Sequence, residues 1–323
     1  MTKQTILITG GAGFIGSHLA KVLLNRGDKV VIVDNFNDYY DPQIKKDRIK
    51  DLKKLKNKPS VSRIDVADKK SLKRIFAKHK FTKICHLAGQ AGVRYSIENP
   101  YTYEESNVLG TLNLLELAKD YKVKDFIFAS SSSVYGANKK MPFKESDKTE
   151  TPMSLYAATK KMQELMAYTY HSLYGLNCTG LRFFTVYGDW YRPDMALFLF
   201  AEKMFDDKPI NVFNNGKMKR DFTYIDDIVA GVVAAIDRAY PYEIFNLAGG
   251  KSVQLMTYIK ELEKAVGKKA KKKMLSMQAG DVPGTAANIS KAKKMLDYNP
   301  QTTVQMGVQK FVDWYKEYYK IKE

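Results

Sequence analysis

Cysteine is scarce in this sequence. Cys85 and Cys178 are the two among 323 residues, so a disulfide framework is excluded. Each borders an apolar, strand-like run and reads as a buried free thiol. A reducing, cytoplasmic compartment fits. No apolar run reaches the roughly 18 residues a membrane helix needs, and no signal peptide is read before Thr5-Ile-Leu-Ile8, where the first strand begins almost at once. Glycine (20) and proline (10) are too few for collagen-like or Pro-rich low complexity. Arginine is scarce too: the net charge of +18 rests on 44 lysines and 9 arginines. The lysines cluster in 45–58 and 268–273, where a nucleic-acid binder would more often mix in arginines and aromatics; these stretches hold one arginine, Arg48, and no aromatic residue. They read as a solvated surface with long-range attraction for anionic small molecules. No nucleic-acid or membrane partner is expected.

What is present is ordinary globular composition, 45% hydrophobic and 27% charged, enough for one large domain or two modest ones. Apolar runs at 5–9, 29–33, 61–65, 83–87, 125–130 and 178–183 predict strands. Helical patterns at 14–26, 71–78, 101–119 and 155–174 lie between them. Strands separated by helix-length crossovers imply a parallel sheet covered on both faces. Beyond residue 183 the pattern loosens. Helices are expected near 196–206, 223–240, 256–266, 290–296 and 304–319, with a turn at 214–216 and a strand at 242–247 that could return to the sheet. The fold class is thus α/β, a doubly wound parallel sheet with a smaller, partly interleaved C-terminal α/β lobe. Residues 1–183, with 223–247 returning, form the first unit; 184–222 and 248–323 form the second.

Gly10-Gly-Ala-Gly13-Phe-Ile-Gly16 follows the first strand and opens the first helix. Its glycines allow a tight turn and close approach of backbone to a pyrophosphate, which the helix N-terminus then attracts. Asp34 ends the second strand, where a carboxylate accepts from an adenosine ribose diol and repels a 2′-phosphate. The expected cofactor is therefore NAD, on a Rossmann-type sheet. Asp65, at the end of the third strand, could meet the adenine edge.

Ser130-Ser-Ser-Ser133-Val-Tyr-Gly136 closes a strand, and Tyr156 and Lys160 stand at i and i+4 on one helix face. The lysine charge, with that of the oxidised nicotinamide, would lower the tyrosine pKa and make it a usable base for an alcohol proton. A serine hydroxyl from the strand end can bond the same sugar oxygen.

With these motifs in register, the sequence resembles the extended short-chain dehydrogenase/reductases, specifically the nucleotide-sugar epimerases and dehydratases, over nearly its whole length. The resemblance implies Ser131, Tyr156 and Lys160 as catalytic trio, with Ser132 and Ser133 as runners-up to Ser131. It implies that His86-Leu-Ala-Gly-Gln-Ala91 passes under the cofactor, braced by Asn107. The cofactor set is then Gly10, Gly13, Phe14, Ile15, Gly16, Asp34, Asn35, Asp65, Val66, Leu87, Ala88, Gln90, Asn107, Ser130, Tyr156 and Lys160. No metal is expected.

Related 4,6-dehydratases carry Asp-Glu after the catalytic threonine, and related decarboxylases a Glu before Val-Tyr-Gly. Here those places are Ser132 and Ser133, which leaves hydride removal and return, an epimerisation at C4 through a 4-keto sugar. Segments 90–96, 182–196 and 277–283 resemble the UDP-glucuronate 4-epimerases of polysaccharide biosynthesis. Galactose-type relatives have Asn where this chain has Thr185, whose hydroxyl, with Ser132 and Ser133, could hold a sugar carboxylate. Arg192 and Arg220 resemble the arginines of the diphosphate side; for Arg220 the bland alternative is a salt bridge to Asp221. Arg94, Gln278 and Asp281 complete the expected substrate set. Trp190-Tyr191 and 284–288 depart from the common pattern and leave the exact sugar open. A 4-epimerase of a neutral or N-acetylated UDP-hexose, a net oxidoreductase or decarboxylase, and a non-catalytic nucleotide sensor remain alternatives. The resemblance also implies a homodimer, pairing helices 101–119 and 155–174 in a four-helix bundle.

Overall fold

A computed structural model describes residues 3–278 and 281–321. Ala279 and Gly280, inside the motif 277–283, and the four terminal residues lie outside the described residues. The strands in chain order are β1 (Thr5–Thr9), β2 (Lys29–Asp34), β3 (Ser60–Arg63), β4 (Lys83–His86), β5 (Asp125–Ser131), β6 (Asn177–Phe183), β7 (Thr185–Tyr187), β8 (Ile210–Val212), β9 (Lys219–Tyr224), β10 (Tyr242–Leu247), β11 (Ser252–Gln254) and β12 (Lys272–Met274). The helices are α1 (Phe14–Arg26), α2 (Gln43–Leu52), α3 (Lys69–Lys78), α4 (Tyr95–Glu98), α5 (Pro100–Tyr103), α6 (Gly110–Asp120), α7 (Leu155–Tyr174), α8 (Ala196–Phe205), α9 (Ile225–Arg238), α10 (Leu255–Val266), α11 (Ser290–Leu296) and α12 (Val304–Tyr319).

Seven strands form one parallel sheet in the order β10-β6-β5-β4-β1-β2-β3. The order reverses at β1, so a crevice opens beyond the carboxyl ends of β1 and β4. Both faces are buried. Ile6 and Ile8 pack into the cluster that holds Leu19 and Leu23 of α1 and Ile228 and Val232 of α9. Leu7 packs into the opposite one, with Leu72 of α3, Leu114 of α6 and Ala167 of α7. That two-sided burial explains the unbroken apolar runs. A second sheet, β11-β9-β7, and the pair β12-β8 flank the far side of the crevice.

Local chemistry sets the helix ends. Ser154 caps α7 by accepting from Ala157 N–H, and Gly175 closes it in the left-handed region. The N-cap of α1 is Gly13, with no side-chain cap, so its first N–H groups point at the crevice.

Four expectations change. The lysine-rich stretch 45–58 is not all solvated surface: its first part is α2, and Lys45 and Arg48 are buried. Amphipathic α2 turns these stems inward, a packing that composition alone does not reveal. Helix 101–119 is interrupted: α5 passes through a π-helical turn at Glu104–Leu109 before α6. Thr223 and Tyr224 belong to strand β9 rather than to the following helix, because alternating Lys219–Tyr224 pairs with both β7 and β11. The short strands β7, β8, β11 and β12 escaped the sequence pattern, being only three residues each.

Candidate active site

One cavity of about 1250 Å³ runs from the glycine loop to β9. At its first end Gly10 has φ +69°, and a Cβ on Gly16 would lie 2.3 Å from the Gly10 carbonyl oxygen. Only glycine fits this cradle. Asp34 stands beside it, its two oxygens accepting from Ala12 N–H at 3.0 Å and Phe36 N–H at 2.9 Å. Asn35 donates to Asp65 at 2.8 Å, and Asp65 accepts from Ala67 N–H. Phe14, Ile15, Val66, Leu87 and Ala88 complete this end.

Midway, Asn107 holds the loop after β4. Its Oδ1 accepts from Gln90 N–H at 2.8 Å, and its Nδ2 donates to the Gln90 carbonyl and to Thr159 Oγ1, each at 3.0 Å. Beneath lies His86, bonded to Thr9 and Thr111. Burial and then the Lys160 charge push its pKa down to about 3, so it stays neutral.

Tyr156, Lys160 and Ser131 meet on the cavity wall. The Ser131 hydroxyl acts on the Tyr156 phenol, favouring its ionised form, and accepts from Ser133 N–H at 3.2 Å and Ser133 Oγ–H at 2.9 Å. Lys160 donates to the Ala129 carbonyl at 2.8 Å, and burial brings its pKa down to about 7. The lowering expected of Tyr156 joined the Lys160 charge to that of oxidised nicotinamide. In the protein alone, burial raises Tyr156 above its ordinary value, opposed by Ser131 and by the Arg192 charge. Ser130 borders the cavity, but its hydroxyl donates to buried Glu164 at 2.6 Å. Glu164 in turn takes two 2.8 Å bonds from Arg182.

At the far end Ser132, Ser133, Thr185, Arg192, Arg220, Arg94 and Asp281 all line the cavity. Arg192 makes a two-pronged pair with Asp194, at 3.0 and 2.6 Å, and Tyr39 donates to the same carboxylate. Arg94 lies 3.5 Å from Asp281 and over the Phe213 ring. Arg220 does not pair with Asp221, which is fully buried on the other face of β9. Burial lowers the Arg220 pKa, with Asp281 opposing and Arg94 adding to the effect. A desolvated cation of this kind favours an anionic guest. Gln278 stands outside the cavity lining, its amide oxygen buried without a partner among the described residues. Among the described residues no three His, Cys, Asp or Glu stand close enough to hold a metal ion, and no helix is long and apolar enough to cross a membrane.

The GDP-mannose 4,6 dehydratase family pattern matches residues 7–311. The chain belongs to that family. It is 47% identical to a UDP-glucuronate 4-epimerase of Thermodesulfobacterium geofontis, over 96% of each chain. It is 47% identical to UDP-glucuronate 4-epimerase 4 of Arabidopsis thaliana, over 98% of this chain and 76% of the relative. The UDP-glucuronic acid 4-epimerase of Bacillus cereus, solved with UDP-glucuronic acid and NAD, superposes with a TM-score of 0.89 at 35% identity, over 98% of this chain and 100% of that one.

Sequence reasoning passed over Arg48, which is buried behind this family member's cavity, and several residues of the cavity itself. Arg48 donates to the Ala12 carbonyl at 3.1 Å and also reaches the carbonyls of Trp190 and Tyr191, tying the glycine loop to the opposite wall. Tyr39, Tyr95 and Phe213 line the cavity as well. The one signal for Arg48 was an arginine inside a lysine run. Trp190, one of the departures, packs against Trp314 and Tyr318.

Proposed function

We propose that this protein epimerises UDP-glucuronate at C4, giving UDP-galacturonate, with NAD as resident cofactor. The observation that carries this reading is the serine turn. Ser131, Tyr156 and Lys160 share one wall with Ser132, Ser133 and Thr185, and neither position 132 nor 133 offers a carboxylate for dehydration or decarboxylation. The relatives named above support the same substrate.

The residues at the first end fit NAD. The uncapped α1 N-terminus and glycine cradle would take the pyrophosphate. Asp34 would take the adenosine ribose, Asn35 and Asp65 the adenine side, and Lys160 the nicotinamide ribose. When bound, NAD supplies a reversible hydride acceptor. Tyr156 Oη takes the proton of the C4 hydroxyl and later returns it, while Ser131 Oγ bonds the same sugar oxygen. Thr185, Ser132 and Ser133 hold the sugar carboxylate with neutral donors, which can follow it as the 4-keto sugar turns over. Arg220, Arg192 and Arg94 face the diphosphate and uridine side.

The cofactor unit is then 1–183 with 223–247, and the nucleotide-sugar unit 184–222 with 248–323. Leu109 and Leu112, with Met162, Leu165 and Leu173 of α7, are exposed apolar residues. They support a homodimer built on these helices as a four-helix bundle. Two buried free thiols support a cytoplasmic setting, where the product would serve as a donor for polysaccharide biosynthesis.

Chromatography of a panel of UDP-sugars incubated with the purified protein tests the assignment. UDP-glucuronate and UDP-galacturonate should interconvert. Turnover of neutral UDP-hexoses alone would overturn it.

A further inference from the structure

Strand β9 sets two adjacent charged residues on opposite faces. Arg220 lines the cavity, and Asp221 is fully buried behind it. The Asp221 carboxylate accepts from Gly249 N–H at 2.8 Å through Oδ1 and from Ala287 N–H at 3.1 Å through Oδ2. Gly249 follows β10, and Ala287 belongs to an extended strap, 283–288.

The strap runs along β9. Lys219 N–H donates to the Pro283 carbonyl at 3.0 Å and Thr285 N–H to the Lys219 carbonyl at 3.2 Å. Asp221 N–H reaches Thr285 Oγ1 at 3.4 Å. The other edge of the strap clasps Phe143, through Phe143 N–H to the Ala286 carbonyl and Asn288 N–H to the Phe143 carbonyl, each 2.8 Å. Pro283, Gly284, Thr285 and Phe143 are cavity wall. Among the described residues no lysine or arginine forms an ion pair with Asp221. The groups facing it are the backbone N–H groups of Gly249, Gly250, Lys251 and Ala287, and the buried Tyr298 phenol feels its charge.

A buried carboxylate without a cation is costly, and burial lifts this one to about 6. Its two oxygens bridge segments that the chain keeps 38 residues apart, Gly249 and Ala287. An amide could accept from only one of them. We infer that Asp221 is a positioning residue for nucleotide-sugar binding: it bolts the strap and the loop after β10 onto β9, and so fixes the wall beside Arg220. The inference rests on the UDP-sugar reading above.

The test is Asp221→Asn in the full, NAD-loaded protein. It turns one acceptor into a donor aimed at a donor. KM for UDP-glucuronate should rise about ten-fold, with kcat within about two-fold and NAD retained. For the parental protein, Kd for UDP-glucuronate should rise several-fold from about pH 7.5 to about pH 5, as the carboxylate is protonated. The diphosphate diester has no group titrating there, protonation of Lys160 in the same window adds positive charge and would tighten rather than weaken an anion, and the Asn variant should lose the rise. An unchanged KM in the folded variant, or equal losses in kcat and NAD retention, would overturn the inference. So would a flat parental profile, which decides the matter by itself if the variant does not fold. UDP-glucose serves as a second probe: a parental protein that binds it and ignores UDP-glucuronate refutes the sugar assignment, while the Asp221 comparison is then read with UDP-glucose.

Discussion

The Lys160 ammonium donates to the Ala129 carbonyl at 2.8 Å, inside the wall that joins α7 to β5. Burial brings its pKa from the ordinary 10.5 down to about 7. Between those values the unfolded chain holds a proton that the folded one has released, so stability rises with pH across that window. Below about pH 7 the folded protein bears the cost of the buried charge, roughly 1.4 kcal/mol for every tenfold loss of proton affinity. Lys160→Met should therefore abolish turnover and yet melt higher than the parent at pH 6, with the gap closing toward pH 10. A lower melting temperature at pH 6 would show that the ammonium stabilises the fold.

Tyr156→Phe keeps the ring and its edge contact with Tyr103 but removes the phenol. Turnover should fall by about 10²-fold or more, with nucleotide-sugar binding and NAD retention unchanged. Near-parental epimerisation by this variant would remove Tyr156 as the base.

Thr185→Val keeps the shape at the start of β7 and deletes the hydroxyl. Oxidation of C4 makes a β-keto acid, which loses CO₂ when the carboxylate bond lies parallel to the ketone π-system. The variant should epimerise more slowly and release a larger fraction of UDP-pentose with CO₂. If both quantities match the parent, Thr185 is not the carboxylate contact.

Arg48→Met leaves the carbonyls of Ala12 and Trp190 without their donor. Each unpaired buried group costs about 1–3 kcal/mol, so a clear drop in denaturant midpoint is expected, together with faster loss of NAD on dilution. Parental stability and retention would reduce Arg48 to a bystander.

Leu165→Glu on α7 places a charge on the exposed apolar face. Light scattering should report a dimer for the parent and a monomer for the variant at micromolar concentration. A monomeric parent would remove the four-helix bundle.

The sheet and the cofactor end of the cavity were written in local sequence. Ile-Leu-Ile in β1, the glycine loop and Asp34 are set by period, turn chemistry and one carboxylate, all within about 30 residues of each other. Tyr156 and Lys160 were likewise fixed by one helical turn. What the sequence by itself could not decide lies where distant segments converge. Arg48 sits in a lysine run and becomes a buried tie only because α2 packs beneath the glycine loop. In the protein alone, burial, a property of the whole fold, raises the Tyr156 pKa against Ser131 and Arg192, an effect its spacing from Lys160 does not show. Arg220 and Asp221 are neighbours that read as a pair. Strand pleating sends them to opposite faces, one into the cavity and one into the seam behind it, and only the tertiary structure brings Gly249 and Ala287 to that seam.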